Sequence, residues 1–448
     1  MSWPTDTISP RAVQSSHRWR RIGVALLMGL ALIIAACGTT TGGGGRPTPT
    51  SKPSPTATPV PCTGWRIVAS PTNTRYPNSS LSAVSALSPS SAWAVGVNYS
   101  EGDTIGPVDS LIEQWDGSAW RVVANSGHGT LNGIAAISPR DIWAVGGQLN
   151  YSAGAGALLM HWDGTTWSVV PSAQPAGAKF ATLSGVAAIA SDDVWAVGGQ
   201  QIDDDGQRPA PLLVEHWDGA SWQIVSSPPL PPSAAPNNGG SFTAVTRIPG
   251  TNQLWAVGDW HAWINLGRGQ PLIEHWTGTA WQVVPSPALP KGAMGGGWNS
   301  VVALSVTNAW AVGSYASKSS PMDHPLIAHW DGTRWQNVMA NPDVYGNLHS
   351  VAAAGANDAR AAGLLMTGPG ASSGTGHVVP LIEQWNGTSW QIVTTPALPS
   401  GAFLPSDAPL QRLHIATDGA GNYWAVGSYL TQPTSNQYQT LPLTLHCP

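Results

Sequence analysis

Tryptophan, histidine and aspartate carry most of the chemistry this sequence offers. In Asp259-Trp260-His261-Ala262-Trp263 an acid, an imidazole and two indoles fall within one short stretch. Aromatic rings flanked by polar groups stack on sugar faces or anchor a partner protein. Asp259, Trp260, His261 and Trp263 therefore form one candidate ligand-binding set; the alternative is a loop packed on itself. A second set is dispersed: Ser82, Asn132, Ser184, Thr243, Asn299, His349 and His414 each follow an apolar residue at the start of a similar segment. They would form a polar ring at one opening if those segments converge. His349 and His414 fall in adjacent copies and could share an anion or a metal. No third ligand accompanies them, so a solvated pair is expected, with no metal and no cofactor. Asp203-Asp204-Asp205-Gly206 lacks the alternate spacing of a calcium loop. No His-Glu-x-x-His, P-loop or dinucleotide fingerprint occurs, and no catalytic residue is assigned. The net charge is −5 with no basic run, which speaks against a nucleic-acid partner.

These residues are positioned by a repeat of about fifty residues, a period that means solenoids or propellers. Trp-Ala-Val-Gly recurs at Trp93, Trp143, Trp195, Trp255, Trp310 and Trp424, with a degenerate copy at Ala359-Arg360-Ala361-Ala362-Gly363. A paired-Trp element recurs at Trp115/Trp120, Trp162/Trp167, Trp217/Trp222, Trp276/Trp281, Trp330/Trp335 and Trp385/Trp390. Each unit reads as four strands. Strand a is Leu81–Leu87 and its equivalents. Strand b carries Trp-Ala-Val-Gly, with Trp and Val on one face and Ala and Gly on the other. Strand c is of the Leu-Ile-Glu-His-Trp type, and strand d of the Trp-Gln-Val-Val type. The Asp-Gly between c and d signals a hairpin, and a four-residue turn would set the two Trp opposite one another. His161, His216, His275, His329 and His446 recur at one strand-c position, which marks them as scaffold. The expected fold is all-β: a seven-bladed propeller of four-stranded blades over residues 62–448.

Val-Gly-Gly after strand b (Val145-Gly146-Gly147, Val197-Gly198-Gly199) and the later Trp-Asp…Trp resemble kelch repeats. The resemblance implies the propeller fold and is not extended to an activity. At the other end, Arg18, Arg20 and Arg21 precede the apolar run Ile22–Ala36, which ends Ile34-Ala35-Ala36-Cys37-Gly38. This resembles the lipobox of bacterial lipoproteins, and implies that residues 1–37 are a signal peptide with Cys37 as lipid anchor. Residues 38–61, rich in Thr, Pro and Gly, read as a disordered stalk, extended at ~3.1 Å per residue where Pro-rich.

Counting strands leaves the seventh unit short. It begins at Leu413, ends at Cys447 and lacks strand d, while Cys62-Thr63-Gly64-Trp65-Arg66-Ile67-Val68 is a strand d without a hairpin before it. The N-terminal strand should complete the last blade and remove the open edges. A Cys62–Cys447 disulfide would replace the absent turn, as an exported protein permits; the alternative is two free thiols.

The long b–c and d–a connections fall on one face, including 199–211, 226–241, 259–271, 364–380 and 428–442, and that face is where binding is expected. The leading functional expectation is a monomeric lipoprotein on the outer face of a bacterial cell membrane, binding a protein or glycan through its long-loop face. A second is an extracellular polysaccharide hydrolase or lyase using loop carboxylates. A third is a passive surface protein.

Overall fold

The computed structural model describes residues 64–448, apart from 72–75, 101–107, 149–155, 174, 176, 203–210, 231–237, 263–268, 319, 339–343, 375, 405–411 and 435–436. Cys37, Cys62, Trp263 and the Asp203–Gly206 run lie outside the described residues. Those described form seven antiparallel sheets, six of them built from four consecutive strands. Blade 1 is Asn78–Ser88, Ser91–Tyr99, Val108–Trp115 and Trp120–Val122, here strands a to d. Blades 2 to 6 repeat this order. Each strand a neighbours the next around the ring, and the seventh returns to the first.

The paired Trp face each other across the c–d hairpin in the expected register, Trp115↔Trp120 through Trp385↔Trp390. The turn is locally determined. Asp116 Oδ1 accepts the backbone N–H of Ser118 and Ala119, both at 2.9 Å, and Gly117 takes φ 94°.

The glycine of Trp-Ala-Val-Gly has a cause that the local sequence hides. In blades 1 to 6 strand a carries a β-bulge, and the bulged residue is Ser82, Asn132, Ser184, Thr243, Asn299 or His349. The ladder then brings the carbonyl two residues before the bulge against strand b. A Cβ on Gly96 would lie 1.9 Å from the Ser80 oxygen, and one on Gly198 would lie 2.0 Å from that of Thr182. Only glycine fits there.

The core is divided into seven seams, one between each pair of blades. At the first, Trp93 and Val95 of blade 1 pack with Ala144, Leu158 and Trp167 of blade 2. Trp93 lies 5.1 Å from Trp162 and 5.7 Å from Trp167, the latter edge-on. Trp143, Trp195, Trp255, Trp310 and Trp424 repeat this contact with the next paired Trp. The large face of strand b thus meets the next blade's hairpin indoles as well as its alanine.

Blade 7 is assembled from both ends of the chain. His414–Thr417, Tyr423–Thr434 and Gln437–Cys447 supply a to c, and Arg66–Val68 pairs outside them in the register Arg66↔His446. An added edge, Ala402–Phe403, pairs beyond Leu430 and Thr431. Here the b-strand Trp of blade 6 is replaced by Arg360, which is 0% exposed. Its guanidinium stands 4.2 Å from the Tyr423 ring and 3.6 Å from Asp358, over the slot that holds Cys447 and Trp65. A cation over aromatic rings occupies the one seam where the hairpin Trp has become cysteine.

Two segments expected as loops are largely ladder. Strand b of blade 6 runs to Thr367 and its strand c starts at His377; in blade 7 the pair extends through Thr434 and Gln437. Residues such as Tyr429-Leu430-Thr431 suit a pleated ribbon although they depart from the repeat.

Candidate functional site at the mouth of the central channel

All seven a strands contribute to a central cavity of about 300 Å³, lined by Asn132, Ser184, Thr243, Asn299, Ser350 and His414 among others. A second cavity of about 300 Å³ follows at the short-turn end, where Ser85, Thr246 and Arg247 stand among aliphatic residues. Asn132, Ser184, Thr243, Asn299 and His414 of the expected polar ring thus share one opening, near the long-loop end of their strands. Ser82 and His349 sit at equivalent bulges without lining it.

Most of this ring has a second task, because it joins blades. Asn132 Nδ2 donates to the Leu183 carbonyl at 2.9 Å, Thr243 Oγ1 to that of Trp298 at 2.7 Å, and Asn299 Nδ2 to that of Leu348 at 2.7 Å. His349 Nδ1 accepts the Leu413 N–H at 3.1 Å. In each case the bulge residue reaches the buried apolar residue at the start of the next strand a. Ser184 makes no side-chain hydrogen bond among the described residues.

Blade 7 departs from this pattern. His414 pairs with Val426, the register position that Ala83, Gly133, Gly185, Ala244, Ser300 and Ser350 hold in the other blades. The bulge is absent, and His414 stands where the others carry a small side chain. Burial and the Arg412 charge push the His414 imidazole down to about 3, and they depress His349 as well. Both rings are neutral at physiological pH. Arg412 itself has an exposed side chain, yet enough protein surrounds it that desolvation lowers its guanidinium.

The other candidate set lies on a ladder extension instead of a loop. Strand b of blade 4, Leu254–Ala262, includes Asp259, Trp260 and His261, with Trp260 paired to Gly240 and Gln270. Trp260 is half-buried against the cluster shared by blades 3 and 4. Asp259 packs against Gly269 and Gly297, where a Cβ would meet its side chain at 2.3 and 3.0 Å.

Three groups escaped the sequence reading. Glu113, Glu215, Glu274 and Glu383 on strand c are buried between blades, and desolvation pushes each carboxyl up to about 7. Ser70, Ser172 and Ser227, five residues after the d-strand Trp of the preceding blade, donate to the first three. On the long-loop side of blade 1, Asp109 accepts from Tyr76 Oη and lies 2.8 Å from His128 Nδ1. Gly370-Ala371-Ser372-Ser373-Gly374 has the spacing of a nucleophile elbow, but it forms a 3-10 turn between two strands without the strand-to-helix context. The recurring histidines stack on the b-strand Trp, from 3.9 Å (His446 on Trp424) to 4.4 Å (His161 on Trp143). The fixed rings of His161 and His216 face Asp141 and Asp193 at 2.9 Å.

No protein-family profile matches this chain, and no curated protein does. Solved structures do resemble it. A protein of unknown function from Dyadobacter fermentans DSM 18053 is 11% identical, with 86% of this chain and 100% of that chain covered and a TM-score of 0.46. A six-bladed fucose-recognising lectin, that of Aleuria aurantia, is 14% identical over 71% and 97%, with a TM-score of 0.40. An ulvan lyase of polysaccharide lyase family PL25 is 11% identical over 84% and 95%, with a TM-score of 0.46. The chain described here is an all-β propeller of seven four-stranded blades, as its own strand pairing shows.

Proposed function

We propose that this protein is an exported, lipid-anchored propeller of kelch-like repeats that binds a saccharide at the long-loop face, over the mouth of its central channel. The observation that carries the reading is the lining of the cavity: hydroxyls, amides and an imidazole delivered by separate blades onto one opening of about 300 Å³. That volume is at the lower end of small-ligand pockets and suits a sugar unit rather than the surface of a folded protein. The ladder carrying Asp259, Trp260 and His261, with Trp263 beyond it, would supply a flanking contact.

Anchoring rests on the Ile34-Ala35-Ala36-Cys37 sequence after its basic and apolar runs. A Cys62–Cys447 disulfide belongs to the same reading. Cys447 is fully buried, and the Arg66↔His446 register places Trp65 opposite it, with Cys62 only three residues earlier.

A glycan array probed with the full-length chain, followed by titration of the best ligand into Ser184→Trp, tests the site. Ser184 lines the cavity without bonding a neighbouring blade, so the variant should keep the unfolding midpoint and lose affinity at least tenfold. Unchanged affinity removes the channel mouth as the site, and a parallel Trp260→Ala titration shows whether the blade-4 ladder takes its place.

A further inference from the structure

Seven equivalent positions precede the buried apolar residue of strand a: Ser80, Thr130, Thr182, Ser241, Gly297, Asn347 and Arg412. Their equivalence is structural, since each carbonyl approaches the glycine position of strand b, from Gly96 round to Gly427. Six are neutral and compact. The seventh is an arginine, placed beside the cavity-lining His414 and next to Leu413, whose N–H is held by His349. Arg412 makes no ion pair or side-chain hydrogen bond among the described residues. In the adjacent blade, the equivalent Asn347 has a buried amide oxygen without a partner. The symmetry of the ring is thus broken at one point, by a cation that nothing in the described protein neutralises.

We infer that the channel mouth recognises an anionic sugar, with Arg412 taking its carboxylate and the cavity-lining His414, two residues along the chain, as a hydrogen-bonding group beside it. A planar guanidinium matches a carboxylate in a two-point fork. A neutral imidazole beside it adds a donor or an acceptor without a second charge to compensate. The channel supplies room for one sugar unit and hydroxyl and amide groups for its neutral face, which favours an acidic saccharide over an extended acidic peptide. This inference rests on saccharide binding at the channel mouth.

Calorimetric titration of the full-length chain with glucuronate, glucose, inorganic sulfate and a short oligoglutamate distinguishes the sources of the anion. Glucuronate should bind at least tenfold more tightly than glucose, and more tightly than sulfate. Arg412→Gln should bring glucuronate down to the level of glucose while leaving glucose itself unchanged. Arg412→Lys, which keeps the charge without the fork, should retain part of the preference and serves if the glutamine variant fails to fold. Equal binding of glucuronate and glucose by the wild type overturns the anionic reading while saccharide binding stands. Absence of both overturns the two together. Sulfate or oligoglutamate binding as tightly as glucuronate shows a simple oxyanion or peptide site and overturns the sugar.

Discussion

Buried carboxyls and buried imidazoles in this ring pull stability in opposite directions with pH. Burial raises Glu113, Glu215, Glu274 and Glu383 from 4.5 to about 7. The folded state therefore holds their protons more tightly than the unfolded chain does. Their contribution is complete below about pH 4.5 and is lost as pH rises through about 7. His446, lowered to about 4, and His414, lowered to about 3, do the reverse: their contribution stands above about pH 6.5 and is lost as pH falls toward those values. A glutamine at one glutamate isolates the first effect. Relative to wild type, Glu274→Gln should gain roughly 2–3 kcal/mol between pH 4.5 and 8, measured as the difference between the two unfolding curves. Parallel curves would show that Glu274 is ionised throughout. The sequence concealed these groups for a physical reason. In Leu-Ile-Glu-His-Trp the glutamate reads as the solvent side of an alternating strand, and only a serine 43 to 47 residues away, on the preceding blade, makes that side an interior.

Elements fixed by their own residues were readable, and elements fixed by their neighbours were not. The c–d turn follows from Asp-Gly and two facing indoles, all within six residues, and its length and register agree with expectation. The bulge of strand a could not be read, because it exists only relative to the partner strand, and the glycine that accommodates it lies on the other strand. The polar position itself was visible, but its blade-to-blade hydrogen bonds span 49 to 64 residues. Those bonds predict a contrast within one ring. Asn299→Ala should cost about 1–2 kcal/mol in urea unfolding, through a lost bond and the Leu348 carbonyl left without it. Ser184→Ala, at the equivalent bulge, should cost less than ~0.5 kcal/mol. Equal costs at the two sites would mean that the bulge, not the bond, is what matters. Long ribbons such as Tyr423–Thr434 were the reverse error, since departure from the repeat was read as departure from strand.

For the whole ring, the count of seven blades and the donation of the first strand to the last were readable from the number of copies of each element, a global property that needs no side-chain geometry. That one of the seven equivalent positions carries a charge was not, because Arg412 is distinguished only by alignment on the closed circle. The shared blade predicts that deleting residues 64–71 exposes the open edge of Gln437–Cys447 and promotes aggregation, as light scattering would register. If the proposed Cys62–Cys447 link forms, its loop spans nearly the whole domain and should contribute roughly 5 kcal/mol. Peptide mapping without reductant should recover the joined peptides, and reductant should lower the unfolding midpoint.

The seam between Arg66 and His446 joins residues 380 apart, which makes it a clock as well as a fastening. Synthesis releases the strand Arg66–Val68 before any blade exists, and its partner arrives only after the six other blades. Six blades can grow by local pairing while that strand waits, but the circle cannot shut early. The slowest folding phase should therefore belong to the blade shared between distant parts of the chain, which has the longest search, and a chain truncated within the ring should behave as an open arc however many finished blades it holds.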